Sequence, residues 1–100
     1  MRSYRFRELD FCWDDRKAAN NLRRHGIGFE EGVTVFADPL ARVYDDPDHS
    51  SFEDRFLVVG RSFSDCLLLV VHAERGDSIR IISARRLTPQ EREDYENDAQ

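Results

Sequence analysis

The chain has 100 residues, with 20 acidic against 15 basic side chains for a formal net charge of −5, and it is 40% hydrophobic and 11% aromatic. That length supports one domain, since half of it could not bury a stable core, and that apolar content is too high for wholesale disorder. No run nears the roughly 20 apolar residues that cross a bilayer, and Arg5, Arg7, Glu8 and Asp10 occupy the N-terminus where a secretion signal needs an apolar stretch, so a soluble cytoplasmic protein is expected.

From the N-terminus, Tyr4 to Trp13 alternates imperfectly between apolar and charged residues and ends in Phe11-Cys12-Trp13, which predicts a short strand entering the core. Asp14 or Asp15 can cap a first helix that runs without Pro or Gly to His25 and stops at Gly26. On that helix Ala18 and Leu22 are expected to pack inward, with Lys17, Asn21 and Arg24 on a neighbouring polar stripe. Gly28 can cap a second helix through Phe29, Val33 and Phe36, with Glu30 and Glu31 at its positive end and Asp38-Pro39 ending it. Gly32 inside that helix costs about 1 kcal/mol relative to alanine, so packing must hold it.

Strands follow. Ala41 to Tyr44 is a short candidate, and Asp45 to Asp54 reads as a loop. Arg55 to Gly60 and Cys66 to Ala73 read as a hairpin, and the run Cys66 to Val71, apolar on both faces, belongs in the middle of a covered sheet. Glu74-Arg75-Gly76-Asp77 turns into a last strand, Ser78 to Ala84, before Thr88-Pro89-Gln90-Glu91 opens a final helix with Pro at its first position and Glu at the capping-box position. The order βααββββα predicts a single α+β domain: an antiparallel meander with an N-terminal helix pair and a C-terminal helix.

Net acidity argues against a nucleic-acid partner, but its distribution weakens that objection. Five acids lie among Asp45, Asp46, Asp48, Glu53 and Asp54, and five more in the tail, at Glu91, Glu93, Asp94, Glu96 and Asp98. Arg16, Lys17, Arg23 and Arg24 form one basic segment, and Arg75, Arg80, Arg85 and Arg86 another, interrupted by Asp77 alone. Local fields decide where a phosphate docks. Cys12 and Cys66 have no CxxC spacing and no neighbouring histidine, which leaves them as reduced packing residues with no metal or other cofactor expected.

Taken together, Asp14 with Lys17-Ala18, Asn21-Leu22, Arg24-His25-Gly26, Phe29-Glu30-Glu31, Val35-Phe36 and Asp38-Pro39 resemble the opening signature of the BrnT toxins. Asp48-His49-Ser50 with Glu53 and Arg55, Gly60-Arg61-Ser62, Arg75-Gly76, Arg80-Ile81-Ile82-Ser83-Ala84-Arg85, and Glu91 with Tyr95 continue it in order, so the likeness runs from about Phe11 to Glu96. The chain departs from that pattern at Arg24, Gly28 and Gly32, where Lys, Ser and Ala are common; the first change keeps the cation and the others bear on helix stability. The resemblance implies a RelE-like fold and a ribonuclease that halts translation. It also implies neutralisation by a BrnA-type antitoxin, whose ribbon-helix-helix domain, rather than the toxin, contacts operator DNA.

Metal-free RNA cleavage needs the 2′-hydroxyl deprotonated, the leaving 5′-oxygen protonated and the charge on the phosphate stabilised. Arg80 and Arg85 suit the last task, although simple alternation puts them on opposite faces of a strand unless a bulge re-aims one, which makes Arg80 with Arg86 the easier clamp. Each arginine can equally pair with a carboxylate of the acidic loop or last helix. His25, at the end of the first helix, and Glu53 are candidates for proton transfer; their plainer roles are helix capping and an ion pair with Arg55. His49 reads as a loop residue and His72 as a histidine of the sheet. Lys17 and Arg24 can hold the RNA backbone or simply be solvated, and Tyr95 can stack on a base or pack its helix onto the sheet. Because no strong nucleophile stands out, a non-catalytic module that sequesters a partner and modulates that partner's DNA binding is the alternative.

Overall fold

The computed structural model describes residues 1–47 and 54–98. Its N-terminal segment holds two strands where one was expected: β1 (Arg2–Phe6) and β2 (Leu9–Trp13) form an antiparallel hairpin. The turn carries Arg7 at φ +57, a backbone state that turn-forming glycine or asparagine would have advertised. Arg7 holds it with its guanidinium 5.5 Å from the Phe6 ring centre and 5.7 Å from that of Phe63.

Helix α1 (Asp15–His25) begins and ends as its sequence dictates. Asp14 Oδ1 accepts from the backbone N–H groups of Arg16 (2.8 Å) and Lys17 (3.1 Å), which holds its carboxyl below the usual range. Gly26, left-handed at φ +71, closes the helix by donating to Leu22 O at 2.8 Å. Helix α2 (Phe29–Thr34) follows and tightens into a single 3-10 turn, Val35–Ala37, before Asp38-Pro39. Gly32 has a packing reason: a Cβ there would lie 3.1 Å from Ala84 Cβ and 3.6 Å from Val70, so its absence lets α2 sit low on the sheet.

The remaining strands are β3 (Arg42–Asp45), β4 (Arg55–Arg61), β5 (Leu67–Arg75) and β6 (Ser78–Arg86), followed by α3 (Pro89–Asp98). Among the described residues the sheet has six strands in the order β1-β2-β6-β5-β4-β3. β3 to β6 form the expected antiparallel meander, and β2 joins β6 in parallel through Asp10↔Ser78 to Cys12↔Arg80. The fold is therefore α+β, with a mixed sheet in which β5 is central and apolar on both sides.

One sheet face carries the core, where Phe11, Trp13, Leu68, Val70, Ile81 and Ala84 pack against Ile27, Phe29, Val33 and Val35. His72 lies on this face between the Phe36 and Phe56 rings (centres 5.0 and 5.7 Å away), and burial lowers its pKa, so it is neutral. On the other face α3 crosses the sheet. Its start is the expected capping box: Glu91 N–H donates to Thr88 Oγ1 (3.1 Å) and Thr88 N–H to Glu91 Oε1 (2.8 Å). Among the described residues no helix is long and apolar enough to cross a membrane.

Candidate nucleic-acid interface

The site begins where the sheet fails to continue. β2 accompanies β6 only as far as Arg80 and then turns into α1, so Ala84, paired with Val70 of β5 on one side, has no β2 residue beside it on the other. A buried strand edge must be satisfied. Asn21 does this with its side chain: its Nδ2 donates to Ala84 O (2.8 Å) and to Ile27 O (2.9 Å), and its Oδ1 accepts from Ala84 N–H (3.2 Å). The amide thus behaves as one residue of an absent strand.

That anchor sets the rotation of α1. Asn21, 7% exposed, is the buried residue of the helix, whereas Leu22, expected to pack inward, is 53% exposed. Seating Asn21 turns the next position, about 100° further round, out of the core. Lys17, Arg24 and His25 lie four before, three after and four after Asn21, on the face it presents to β6. Together with Asn20, Asn21, Ile82 and Ser83 they line an open groove of about 190 Å³, which no acidic side chain enters among the described residues.

On β6 a bulge changes the expected geometry. Register runs Leu69↔Arg85 and Val71↔Ser83, then slips by one so that Ala73 faces Arg80. Because β5 keeps strict alternation, Arg85, Ser83 and Arg80 all project from one sheet face, so Arg80 shares its face with Arg85 and not, as simple alternation predicts, with Arg86. Arg86 faces the other way, toward α1, where its Nη1 donates to His25 O at 3.4 Å and places a cation at the helix C-terminus.

Arg85 forms a two-pronged pair with Glu91 of α3, at 2.8 and 3.0 Å. The guanidinium, assisted by the Thr88 N–H, pulls the Glu91 carboxyl down to about 2, and Glu91 in turn raises the Arg85 pKa. Arg80 is half-buried in β6. Tyr95 stands apart from the groove: its hydroxyl donates to Leu40 O (3.2 Å) and its ring lies under the Arg42 guanidinium at 5.5 Å, so it fastens α3 across the sheet. Asp48, His49, Ser50 and Glu53 lie outside the described residues.

The structure therefore gathers Lys17, Arg24 and His25 at one groove, with Arg80 and Arg85 on the sheet face that shares Ser83. It directs Arg86 to the helix end and Tyr95 to α3. Sequence reasoning did not assign Asn21 and Ser83 to the site; an amide at a position whose i−4, i+3 and i+4 neighbours are all basic was the available signal.

In comparison with known proteins, the sequence matches, over residues 13–91, the family described as "Ribonuclease toxin, BrnT, of type II toxin-antitoxin system". A search of curated proteins found no match. Among solved structures, the fold resembles the 1.1 Å crystal structure of the Brucella abortus ribonuclease toxin BrnT, with a TM-score of 0.60 and 20% sequence identity, covering 78% of this chain and 95% of that one.

Proposed function

Since the chain belongs to the BrnT family of ribonuclease toxins of type II toxin-antitoxin systems, we propose that it is a cytoplasmic, metal-independent endoribonuclease that blocks translation and is silenced by a BrnA-type antitoxin. The observation that carries this reading is the meeting of Lys17, Arg24 and His25 with Ile82 and Ser83 of β6 in one groove, with Arg80 and Arg85 on the sheet face turned away from Arg86. Lys17 and Arg24, seven helical residues and so about 10 Å apart along α1, hold the RNA backbone. Arg80 and Arg85 stabilise the phosphorane, as planar cationic forks that stay protonated at any physiological pH.

In the reaction, a base takes the proton of the 2′-hydroxyl, the 2′-oxygen bonds to phosphorus, and the bond from phosphorus to the 5′-oxygen breaks as an acid protonates that oxygen. His25 or Glu53 supplies the proton transfer. The antitoxin is proposed to carry a ribbon-helix-helix domain, to contact operator DNA itself, and to cover the basic groove.

Purified chain should cleave single-stranded RNA with all divalent metal chelated. Arg80→Ala should fold normally yet cleave about 10²- to 10³-fold more slowly, the usual cost of losing one donor to a developing oxyanion. Wild-type protein inert toward every RNA, free or ribosome-bound, overturns the nuclease reading. Stable binding of the antitoxin without growth arrest would instead support the sequestering module.

A further inference from the structure

The structure assigns Asn21 a positioning role toward RNA, through α1 rather than through contact with the scissile phosphate. The inference rests on the groove described above being the RNA site, and it concerns what holds that groove in register. Three observations converge. The Asn21 amide satisfies both backbone groups of Ala84 on the edge of β6 that β2 has left. Ala84 lies one residue from Ser83, which lines the groove, and two from the bulge at Ile82 that brings Arg80 and Arg85 to a common face. Lys17, Arg24 and His25 share Asn21's side of the helix.

A helix held by apolar packing alone can slide and roll by fractions of an ångström, because apolar contacts have no direction. An amide bonded to both the N–H and the C=O of one peptide residue fixes rotation and translation together. Asn21 therefore sets the distance and angle between the cations of α1 and those of β6. Its other bond, to Ile27 O, ties the chain just beyond Gly26 to the same point and so fixes the end of the helix on which His25 sits.

Two measurements test this on the full chain: affinity for a fully 2′-O-methyl single-stranded oligoribonucleotide, which lacks the nucleophile and is not cleaved, and hydrogen exchange at the Ala84 amide. Asn21→Leu, similar in shape but unable to bond, should weaken oligonucleotide binding at least tenfold and speed Ala84 exchange. Placed in a Lys17→Ala/Arg24→Ala background, the same change should cost no further affinity, since the groups it positions are gone. A merely structural residue would lower stability and leave the affinity of the folded fraction unmoved.

Should Asn21→Leu fail to fold, Asn21→Asp decides. Its carboxylate faces the oxygens of Ala84 and Ile27 at neutral pH, whereas its protonated form can donate to one of them. Affinity and Ala84 protection, each relative to wild type, should then recover together as pH falls from 7.5 to 5. Oligonucleotide affinity that Asn21→Leu leaves at the wild-type level, losses that add in full to those of Lys17→Ala/Arg24→Ala, or recovery of affinity without recovery of Ala84 protection overturns this inference alone. A wild type that neither binds nor cleaves RNA overturns the nuclease reading instead.

Discussion

Helices α1 and α3 both meet β6, and they are held by opposite means. α1 is capped at both ends, contributes Ala18 to the core and seats a buried amide on the Ala84 backbone. α3 has no buried residue, and it rests on the Arg85 to Glu91 pair, the Tyr95 hydroxyl on Leu40 O, and Arg42, which donates to Asp98 O at 2.7 Å. Directional bonds in a dry seam resist salt and pH; partly exposed ion pairs do not. The fold thus places the cations of α1 with geometry and those near α3 with charge. Arg85 in particular is positioned by a carboxylate that a phosphate bound there, as proposed above, would have to displace or share.

The sharpest way to break the contrast is to remove the anchor. Asn21→Leu strands the N–H and C=O of Ala84 and the carbonyl of Ile27, and should lower stability by about 2–4 kcal/mol in urea unfolding, given roughly 1–3 kcal/mol for each buried unsatisfied group and some relief from water at the edge. The loss should be nearly independent of salt. Next in size, Gly26→Ala forces a side chain into the left-handed cap at φ +71 and should cost about 1–2 kcal/mol. Its stability loss should be accompanied by lower affinity for RNA, because His25 and the Arg86 contact sit at that turn.

Much of this arrangement was legible beforehand. Asp14, Gly26 and the Thr88/Glu91 box mark the ends of α1 and the start of α3 because capping chemistry is local. The apolar run from Leu67 to Val71 identified the central strand for the same reason: burial on both faces leaves its mark on every residue. Three features were not legible. A left-handed arginine at position 7 carries no turn signal, since contacts with Phe6 and Phe63 hold it, so one strand was expected where a hairpin stands. The bulge at Ile82 is set by pairing with β5, and without it alternation separates Arg80 from Arg85. The seating of Asn21 answers a backbone vacancy created where β2 departs, some 70 residues earlier in sequence than the Ala84 it exposes, and apolar periodicity therefore chose Leu22.

The smallest expected effect probes the other helix. In Glu91→Gln, the side-chain oxygen can still accept from Thr88 N–H and so keep the cap, while the charge that occupies Arg85 is gone. With both partners about a third exposed, the pair is worth at most about 1 kcal/mol, which also bounds the gain in RNA affinity at about two- to fivefold once Arg85 is released. Its pH dependence has a definite sign. Glu91 is held at about 2 in the folded chain against an ordinary 4.5, so it contributes stability above about pH 4.5 and loses that contribution as pH falls from there toward 2. The stability difference between wild type and Glu91→Gln, followed by urea unfolding from pH 6 downward, should therefore shrink across that window, and added salt at pH 6 should shrink it too. A difference that stays constant with both pH and salt would mean that α3, like α1, is held by contacts that carry no net charge, and that Arg85 is not governed by charge.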